Sequence, residues 1–269
     1  MKRRNLLASL LALALSPAAS AQVHTYSRPR KGIAPRVDLT VPPAPRGAVL
    51  LIHGGGFVTG SRRMASIRGC AAAANAAGFA SLALDYRLLA RGGRFDEALD
   101  DVLACMAWWR AVAPEHGVPP DRLALWGLSA GAALAGIAAT EGRAQAWIGA
   151  YGPYDLRRLP GFGAGTLPTR MLLGTVDPAA LLARSPLARA TAPIPTLLFH
   201  GTRDSLVPIA HAESLVAARR AAGLPVTLRA VEAGHGYLKH GDSPATRATL
   251  TEACAFLQAN LGGSLPPPV

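Results

Sequence analysis

The chain has 269 residues, half of them hydrophobic, which suits one large α/β domain or two small ones with a sizeable apolar core. Its formal net charge is +12 at pH 7, and its basic residues, almost all arginines, are scattered along the sequence. A nucleic-acid-binding surface would need clustered basic residues with interleaved aromatic side chains. The sequence has no such cluster, so we expect no nucleic-acid partner.

Residues 1–21 have the pattern of a secretory signal peptide. Three basic residues, Lys2, Arg3 and Arg4, precede a short apolar run, and small residues follow at Ala19–Ala21, where a signal peptidase would cut. The apolar run is too short to span a bilayer comfortably, and no later stretch is typical of a transmembrane helix. We therefore expect an exported protein, periplasmic or extracellular, without stable membrane insertion.

From Ala48 onwards, strand-like and helix-like segments alternate. The predicted strands are GAVLLIH, FASLALDYR, RLALWG, AQAWIGAYG, TLLFHG and VTLRAVE, preceded by a short strand at VDLTV. The predicted helices are SIRGCAAAANAAG, DEALDDVLACMAWWRAVA, AGAALAGIAAT, IAHAESLVAARRAAG and TRATLTEACAFLQAN. This alternation predicts an α/β fold with a mainly parallel central sheet flanked by helices on both faces. We place the domain at 22–262, with a short, mobile, cap-like insertion at about 154–195 and a flexible tail at 263–269.

The segment GLSAG, at Gly127–Gly131, follows a predicted strand and opens a predicted helix. This is the context of a nucleophile elbow, where the serine of a G-x-S-x-G motif stands above the sheet on a sharp turn. The motif is not specific by itself, and a tight turn with a serine cap is the alternative. Its position makes Ser129 the candidate nucleophile.

A serine hydroxyl needs a general base near neutral pH, and that base needs an orienting acid. Asp204 follows the next-to-last predicted strand and His235 follows the last one, so both are expected at the same edge of the sheet as Ser129. Each residue alone has an ordinary explanation, a turn-forming aspartate or an exposed loop histidine. His240 remains a rival base, and Asp155 remains a rival acid.

Three consecutive glycines follow His53 at the end of a predicted strand. Acyl transfer places negative charge on the carbonyl oxygen, and glycines let backbone N–H groups approach that oxygen closely. Gly55, Gly56 and Ala130 are therefore candidate oxyanion-hole donors. A phosphate loop or a dinucleotide site would need a different glycine spacing.

The motifs HGGGF, DYR, GLSAG, HGTRDSLVP and GHGY together resemble the α/β-hydrolase fold over about Val37 to Leu261. Within it they are most similar to exported carboxylesterases and to acetyl-xylan and feruloyl esterase-like enzymes. The resemblance implies that Ser129 is the nucleophile, Asp204 the acid and His235 the base. It also implies oxyanion donors in the glycine loop, with Asp85 in a supporting role. His53 is expected to support the same loop by hydrogen bonding.

The implied activity is cleavage of a carboxylic ester, small or polymer-borne, through an acyl-enzyme, with no metal or organic cofactor. Phe57, Leu128 and Tyr154 are candidates for the substrate pocket, although core packing explains them equally well. Relatives near hormone-sensitive lipase usually carry an acidic residue where this chain has Leu128. An amide or peptide hydrolase of the same fold, an inactive binding protein on this scaffold and a structural role stay open, as does the oligomeric state.

The implied strand order, with right-handed crossovers, also bears on the three cysteines. It places the helices that carry Cys70 and Cys254 on one face of the sheet and the helix that carries Cys105 on the other. A disulfide between Cys70 and Cys254 is therefore the one pairing expected.

Overall fold

The computed structural model describes residues 21–28, 35–159 and 167–261. The body of the predicted signal peptide, the glycine-rich centre of the insertion and the predicted tail lie outside these residues. The predicted boundaries of the signal peptide, insertion and tail therefore stay predictions.

Within the described residues, eight strands form one sheet in the order β1-β2-β4-β3-β5-β6-β7-β8. The strands are β1 Gln22–Thr25, β2 Arg36–Thr40, β3 Ala48–Ile52, β4 Ala80–Leu84, β5 Leu123–Leu128, β6 Ala146–Ala150, β7 Thr196–Gly201 and β8 Val226–Val231. The pairs from β4 to β8 along this order are parallel, whereas β1 pairs antiparallel with β2 and β2 with β4. The predicted mainly parallel sheet is confirmed, and β1 is an additional strand.

The helices cover both faces of this sheet. They are α1 Ala65–Ala76, α2 Phe95–Val112, α3 Ala130–Glu141, α4 Leu167–Leu173, α5 Pro178–Ala183, α6 Ala210–Ala221 and α7 Pro244–Leu261. Apolar residues of α1 and α7 pack on one face, and those of α2, α3 and α6 pack on the other. Strands β3 to β7 are buried along their whole length because both faces are covered, which explains their continuous apolar sequences.

The cysteines lie on the faces that the sequence implied. Cys70 packs in the layer of α1 and α7, and Cys105 packs in the opposite layer. The predicted disulfide is wrong for this structure, because Cys70, Cys105 and Cys254 are all free thiols. Sharing a face does not by itself satisfy the geometry of a disulfide, which also requires closely approaching, correctly directed Cβ atoms.

The insertion after β6 contains only short helices in its described part, namely α4, α5 and two 3-10 turns at Leu156–Arg158 and Pro186–Arg189. Its end is fastened to α6 by Arg219, a buried arginine whose guanidinium donates to the carbonyl oxygens of Ala190 and Ile194. None of the helices in the described ranges has the length and apolar character needed to cross a membrane.

Candidate active site

Ser129 occupies a strained turn between β5 and α3. Its backbone angles are φ 53° and ψ −122°, a region that residues with a Cβ rarely adopt. The turn is held by a hydrogen bond of 2.8 Å from the Ser129 N–H to the Ala150 carbonyl oxygen, at the end of β6. The flanking glycines are sterically required. A Cβ on Gly127 would lie 2.2 Å from the Gly131 oxygen, and a Cβ on Gly131 would lie 2.2 Å from the Ile52 oxygen.

Replacing Gly131 by alanine is expected to destabilise the protein by several kcal/mol, because the new methyl group meets two backbone oxygens of β3 and its loop that cannot move aside. Gly69→Ala is the matched control. Gly69 lies within α1 with open space around its Cα, so alanine there should raise stability by up to about 1 kcal/mol. Thermal denaturation of both variants measures the difference, and equal melting temperatures would contradict the packing argument.

The structure brings Ser129, His235 and Asp204 together in one hydrogen-bonded series. The Ser129 Oγ lies 2.9 Å from His235 Nε2, and His235 Nδ1 lies 2.8 Å from Asp204 Oδ2. The carboxylate is an acceptor, so Nδ1 carries the proton and Nε2 has a free lone pair directed at the serine. This arrangement can remove a proton from Ser129 without any rearrangement of the imidazole.

Asp204 is held by more than the histidine. Its Oδ1 accepts hydrogen bonds from the N–H groups of Leu206 at 3.0 Å and Val207 at 2.8 Å. Burial acts to raise the pKa of the Asp204 carboxyl, but hydrogen bonds from His235 and the Val207 N–H, with the nearby rings of His235 and His200, lower the pKa by more. The carboxylate therefore stays ionised near neutral pH and can stabilise a protonated imidazole.

His200 supports the loop that carries the acid. Its Nε2 donates to the Val207 carbonyl oxygen at 2.8 Å and lies 3.6 Å from Asp204 Oδ2. Burial lowers the pKa of His200, which keeps its ring neutral. The ring of His235 is positioned by Tyr151, whose ring meets it edge-on with centroids 5.1 Å apart. The sequence had not indicated this contact.

The two rival residues lie outside this series of hydrogen bonds. His240 is exposed, and Asp155 forms an ion pair of 2.8 Å with Arg157. The backbone N–H of Asp155 also donates to Nδ1 of His211 at 3.3 Å. His211 is itself buried.

The glycine loop after β3 has an unusual backbone over three residues. Gly55, Gly56 and Phe57 all have positive φ, at 113°, 63° and 63°. The Gly55 carbonyl oxygen accepts from the N–H groups of Val58 and Thr59. Within the described part of the chain, the N–H groups of Gly55 and Gly56 donate to no backbone carbonyl. They are therefore free to serve an incoming oxyanion, and Gly56 lines the same cavity as Ser129 and Ala130.

His53 and Tyr86 form the base of this loop. His53 Nδ1 donates to the Gly54 carbonyl oxygen at 2.7 Å, and burial lowers the pKa of the His53 ring, which keeps it neutral. The Tyr86 ring stacks on His53 at 4.3 Å, and its hydroxyl donates to the His53 carbonyl oxygen at 2.9 Å. A Cβ at Gly60 would lie 2.5 Å from His53 Nδ1, so the loop must close tightly over this ring.

Asp85 supports the chain just beyond the glycine loop. Its carboxylate accepts from the Arg62 N–H at 2.7 Å and forms an ion pair with the Arg62 guanidinium. Arg62 Nε also donates to Asp38 on β2 at 2.7 Å. Two carboxylates therefore hold the segment that follows the loop against the sheet, in keeping with the supporting role expected of Asp85.

A cavity of about 130 Å³ opens beside Ser129. Besides Gly56, Ser129 and Ala130, five apolar residues line the cavity, namely Phe57, Pro153, Leu159, Leu206 and Val207. Of the three residues predicted for the pocket, only Phe57 is among the lining residues. A larger cavity of about 640 Å³ lies between α1 and the strands β2 and β4, and Ser129 does not line it.

Leu128 and Tyr154 do not line this cavity, and the structure gives both residues the core packing that the sequence left open as the alternative. Leu128 ends β5 with its side chain buried in the layer of α1 and α7. Tyr154 is fully buried, and its ring packs edge-on against Trp147 at 5.7 Å. Both residues are adjacent to the site along the chain, but their side chains belong to the core. Among the described residues, no group of three or more His, Cys, Asp or Glu side chains could hold a metal ion.

Comparison with known proteins shows the family to which this chain belongs. The model of the BD-FAE family matches residues 37–218. The chain belongs to the BD-FAE family. This BD-FAE family member is also 33% identical over 229 residues to Esterase LipC of Mycobacterium tuberculosis, a match that covers 75% of the chain and 55% of LipC. The chain thus spans about half the length, or less, of the curated relatives that it matches.

Solved structures show the same fold. The thermophilic esterase Est2 of the planctomycete Thermogutta terrifontis is 26% identical, with a TM-score of 0.75 over 92% of this BD-FAE family member and 94% of Est2. An acetyl ester-xyloside bifunctional hydrolase from Caldicellulosiruptor lactoaceticus has a TM-score of 0.78 at 17% identity, over 91% of this chain and 98% of that one. The fold of this BD-FAE family member is therefore the α/β-hydrolase fold.

Proposed function

We propose that this protein is a serine hydrolase that cleaves carboxylic esters through an acyl-enzyme on Ser129. The observation that carries the proposal is the series of hydrogen bonds from Ser129 through His235 to Asp204, beside an apolar cavity. Est2 supports it, since that esterase has been solved phosphonylated by sarin, at 25% identity to this chain over 94% of its length. LipC and ethyl acetate hydrolase, both sequence relatives, are named for ester cleavage.

Acylation begins at the serine. His235 Nε2 accepts the hydroxyl proton while Ser129 Oγ attacks the ester carbonyl carbon, and ionised Asp204 stabilises the imidazolium that forms. The carbonyl oxygen becomes an oxyanion, for which the N–H groups of Gly55, Gly56 and Ala130 are the proposed donors. One such donor contributes about 3 kcal/mol to transition-state stabilisation, or at least a hundredfold in rate.

The alcohol leaves when His235 returns its proton to the ester oxygen. A water molecule then enters, and His235 removes its proton as the water oxygen attacks the acyl carbon. The bond from that carbon to Ser129 Oγ then breaks, His235 returns the proton to the serine, and the carboxylic acid leaves. The same histidine therefore acts as base and acid in each half of the reaction. Neither step calls on a metal or an organic cofactor, because the side chains present supply every proton transfer.

For the substrate, we propose small or polymer-borne esters with short acyl groups. Two Est2 structures, 26% and 27% identical to this chain, hold butyrate and propionate. The small cavity beside Ser129 suits acyl groups of this size. Its apolar walls also argue against strongly polar acyl groups, whose desolvation would go uncompensated.

A paired substrate panel tests the reaction type. The purified protein is expected to hydrolyse p-nitrophenyl acetate and butyrate at least about a thousandfold faster than the matching p-nitroanilides. p-Nitroaniline is a much poorer leaving group than p-nitrophenolate and depends on protonation by His235, whereas the phenolate can leave as an anion. Faster cleavage of the anilides would favour the amide-hydrolase alternative, and no turnover of any ester would refute the proposed function.

We also propose export, on the strength of the signal-peptide pattern at residues 1–21. The mature protein recovered from the producing cell is expected to begin at Gln22. N-terminal sequencing of that protein decides the matter, and an intact Met1 on the exported form would contradict this proposal.

A further inference from the structure

The residues that line the cavity beside Ser129 indicate which part of an ester enters it. Its lining includes Gly56 and Ala130, two of the proposed oxyanion donors, and Ser129 itself. His235 is not among the described residues that line it. In ester cleavage the leaving oxygen must lie within hydrogen-bond reach of the histidine that protonates it. The alcohol therefore faces His235, and the cavity, which His235 does not line, receives the acyl chain.

Leu206 stands at the open end of this cavity. Its side chain lines the cavity, yet it is 54% exposed, one of the few large apolar side chains of the described residues with so much solvent contact. An apolar side chain that is half in solvent and half in a cavity forms the rim of that cavity. Of the described lining residues only Gly56 and Leu206 are exposed, and of these two only Leu206 has a side chain. Leu206 is therefore the side chain that an acyl chain meets when it outgrows the interior.

The position of Leu206 is fixed by the catalytic acid. Asp204 Oδ1 accepts hydrogen bonds from the N–H groups of both Leu206 and Val207, while Oδ2 holds His235. The carbonyl oxygen of Val207 is bound in turn by His200 at 2.8 Å. The backbone at Leu206 and Val207 is therefore held by the same carboxylate that orients His235. These hydrogen bonds restrict the movement of Leu206 more than that of a residue in an ordinary exposed loop.

We propose that Leu206 sets the upper limit of acyl length for this enzyme. The inference rests on the proposed esterase function. A cavity of about 130 Å³ is small beside the roughly 300–1,000 Å³ of sites for drug-sized ligands, so it suits short acyl groups. Acetyl to butyryl groups fit within it, and an octanoyl chain extends beyond Leu206.

The test uses p-nitrophenyl esters of acetate, butyrate, hexanoate and octanoate, and the readout is the ratio of kcat/KM for each longer ester to that for acetate. In the unmodified protein the ratio should rise about fourfold for each methylene that enters the cavity and stop rising between butyrate and hexanoate. In Leu206→Ala the rise should continue to octanoate, so that its ratio to acetate increases at least tenfold over that of the unmodified protein.

Leu206→Trp should have the opposite effect. The larger indole narrows the opening of the cavity, so the ratio of kcat/KM for butyrate to that for acetate should fall by about tenfold.

Val23→Ala is the matched control. Val23 is similarly exposed, at 52%, but it lies on edge strand β1, and five strands separate β1 from β7 in the sheet. Its ratios should equal those of the unmodified protein. Identical chain-length profiles for both Leu206 variants and the unmodified protein would overturn the inference. Inactivity of the unmodified protein on all four esters would instead refute the proposed function.

Discussion

Ser129→Ala is expected to lower kcat for p-nitrophenyl acetate by about 10⁴- to 10⁶-fold, because no other hydroxyl lies within reach of His235 in the described site. The same variant should show no covalent labelling by a fluorophosphonate, whereas the unmodified protein should gain one phosphonyl group on the peptide that contains Ser129. Mass spectrometry of the intact and digested protein measures this gain directly. The prediction joins two independent readouts, turnover and stoichiometric modification.

Two further variants serve as controls for Ser129→Ala. Ser214→Ala, on α6, removes a hydroxyl that bonds only its own helix at the Ala210 carbonyl oxygen, so turnover should stay within about twofold. Ser129→Gly should be as inactive as the alanine variant but more stable by about 1–3 kcal/mol, because glycine adopts the positive φ of the elbow without strain. Full activity in Ser129→Ala, or labelling at another serine, would sink the assignment of the nucleophile.

The second large effect is expected at the base. His235→Gln should lower kcat by about 10⁴- to 10⁶-fold, since glutamine keeps a polar side chain of similar length but cannot take the serine proton. Phosphonylation of Ser129 should slow by a comparable factor, because an unactivated hydroxyl attacks phosphorus poorly. Progress curves with p-nitrophenyl acetate and timed labelling reactions provide the two rates.

His240→Gln is the matched control at five residues' distance. His240 is exposed and lies at the end of the short 3-10 turn Tyr237–Lys239, so its replacement should leave both rates within about twofold. The reverse pattern, with an active His235→Gln and an inactive His240→Gln, would move the base to His240. Such a result would require the loop after β8 to adopt another conformation in solution.

The core strands and their mainly parallel pairing were predictable because buried parallel strands have a recognisable sequence pattern. Segments such as AVLLI and LALWGL are apolar throughout, and turn residues interrupt them at regular intervals. The antiparallel strand β1 has no such sequence pattern. It is four residues long and largely exposed, so nothing in its sequence separates it from a loop.

The meeting of Ser129, Asp204 and His235 at one edge of the sheet was predictable for a related reason. Parallel strands bring their carboxyl ends to one edge, so a serine, an aspartate and a histidine that each follow a strand are bound to be neighbours. The direction of a side chain in the connecting loops is decided by tertiary packing instead. Tyr154 turns into the core against Trp147, whereas Leu206 turns outward to the cavity, and local sequence does not distinguish the two.

The presence of Leu206 and Val207 at the site could have been inferred from their positions in the sequence, two and three residues after Asp204. An aspartate often binds the backbone two or three residues further on, and this habit places both residues beside the acid. Pro153 and Leu159 offered no comparable signal. They reach the cavity through the irregular chain after β6, whose course depends on the packing of the insertion.

The long separation of Ser129 and His235, 106 residues along the chain, has a consequence for the timing of activity. Ser129 is synthesised well before His235, which follows β8 at the edge of the sheet. A chain still under synthesis on the ribosome therefore carries the serine without its histidine. Ester cleavage by this pair thus reports a chain that extends at least to the loop after the last strand.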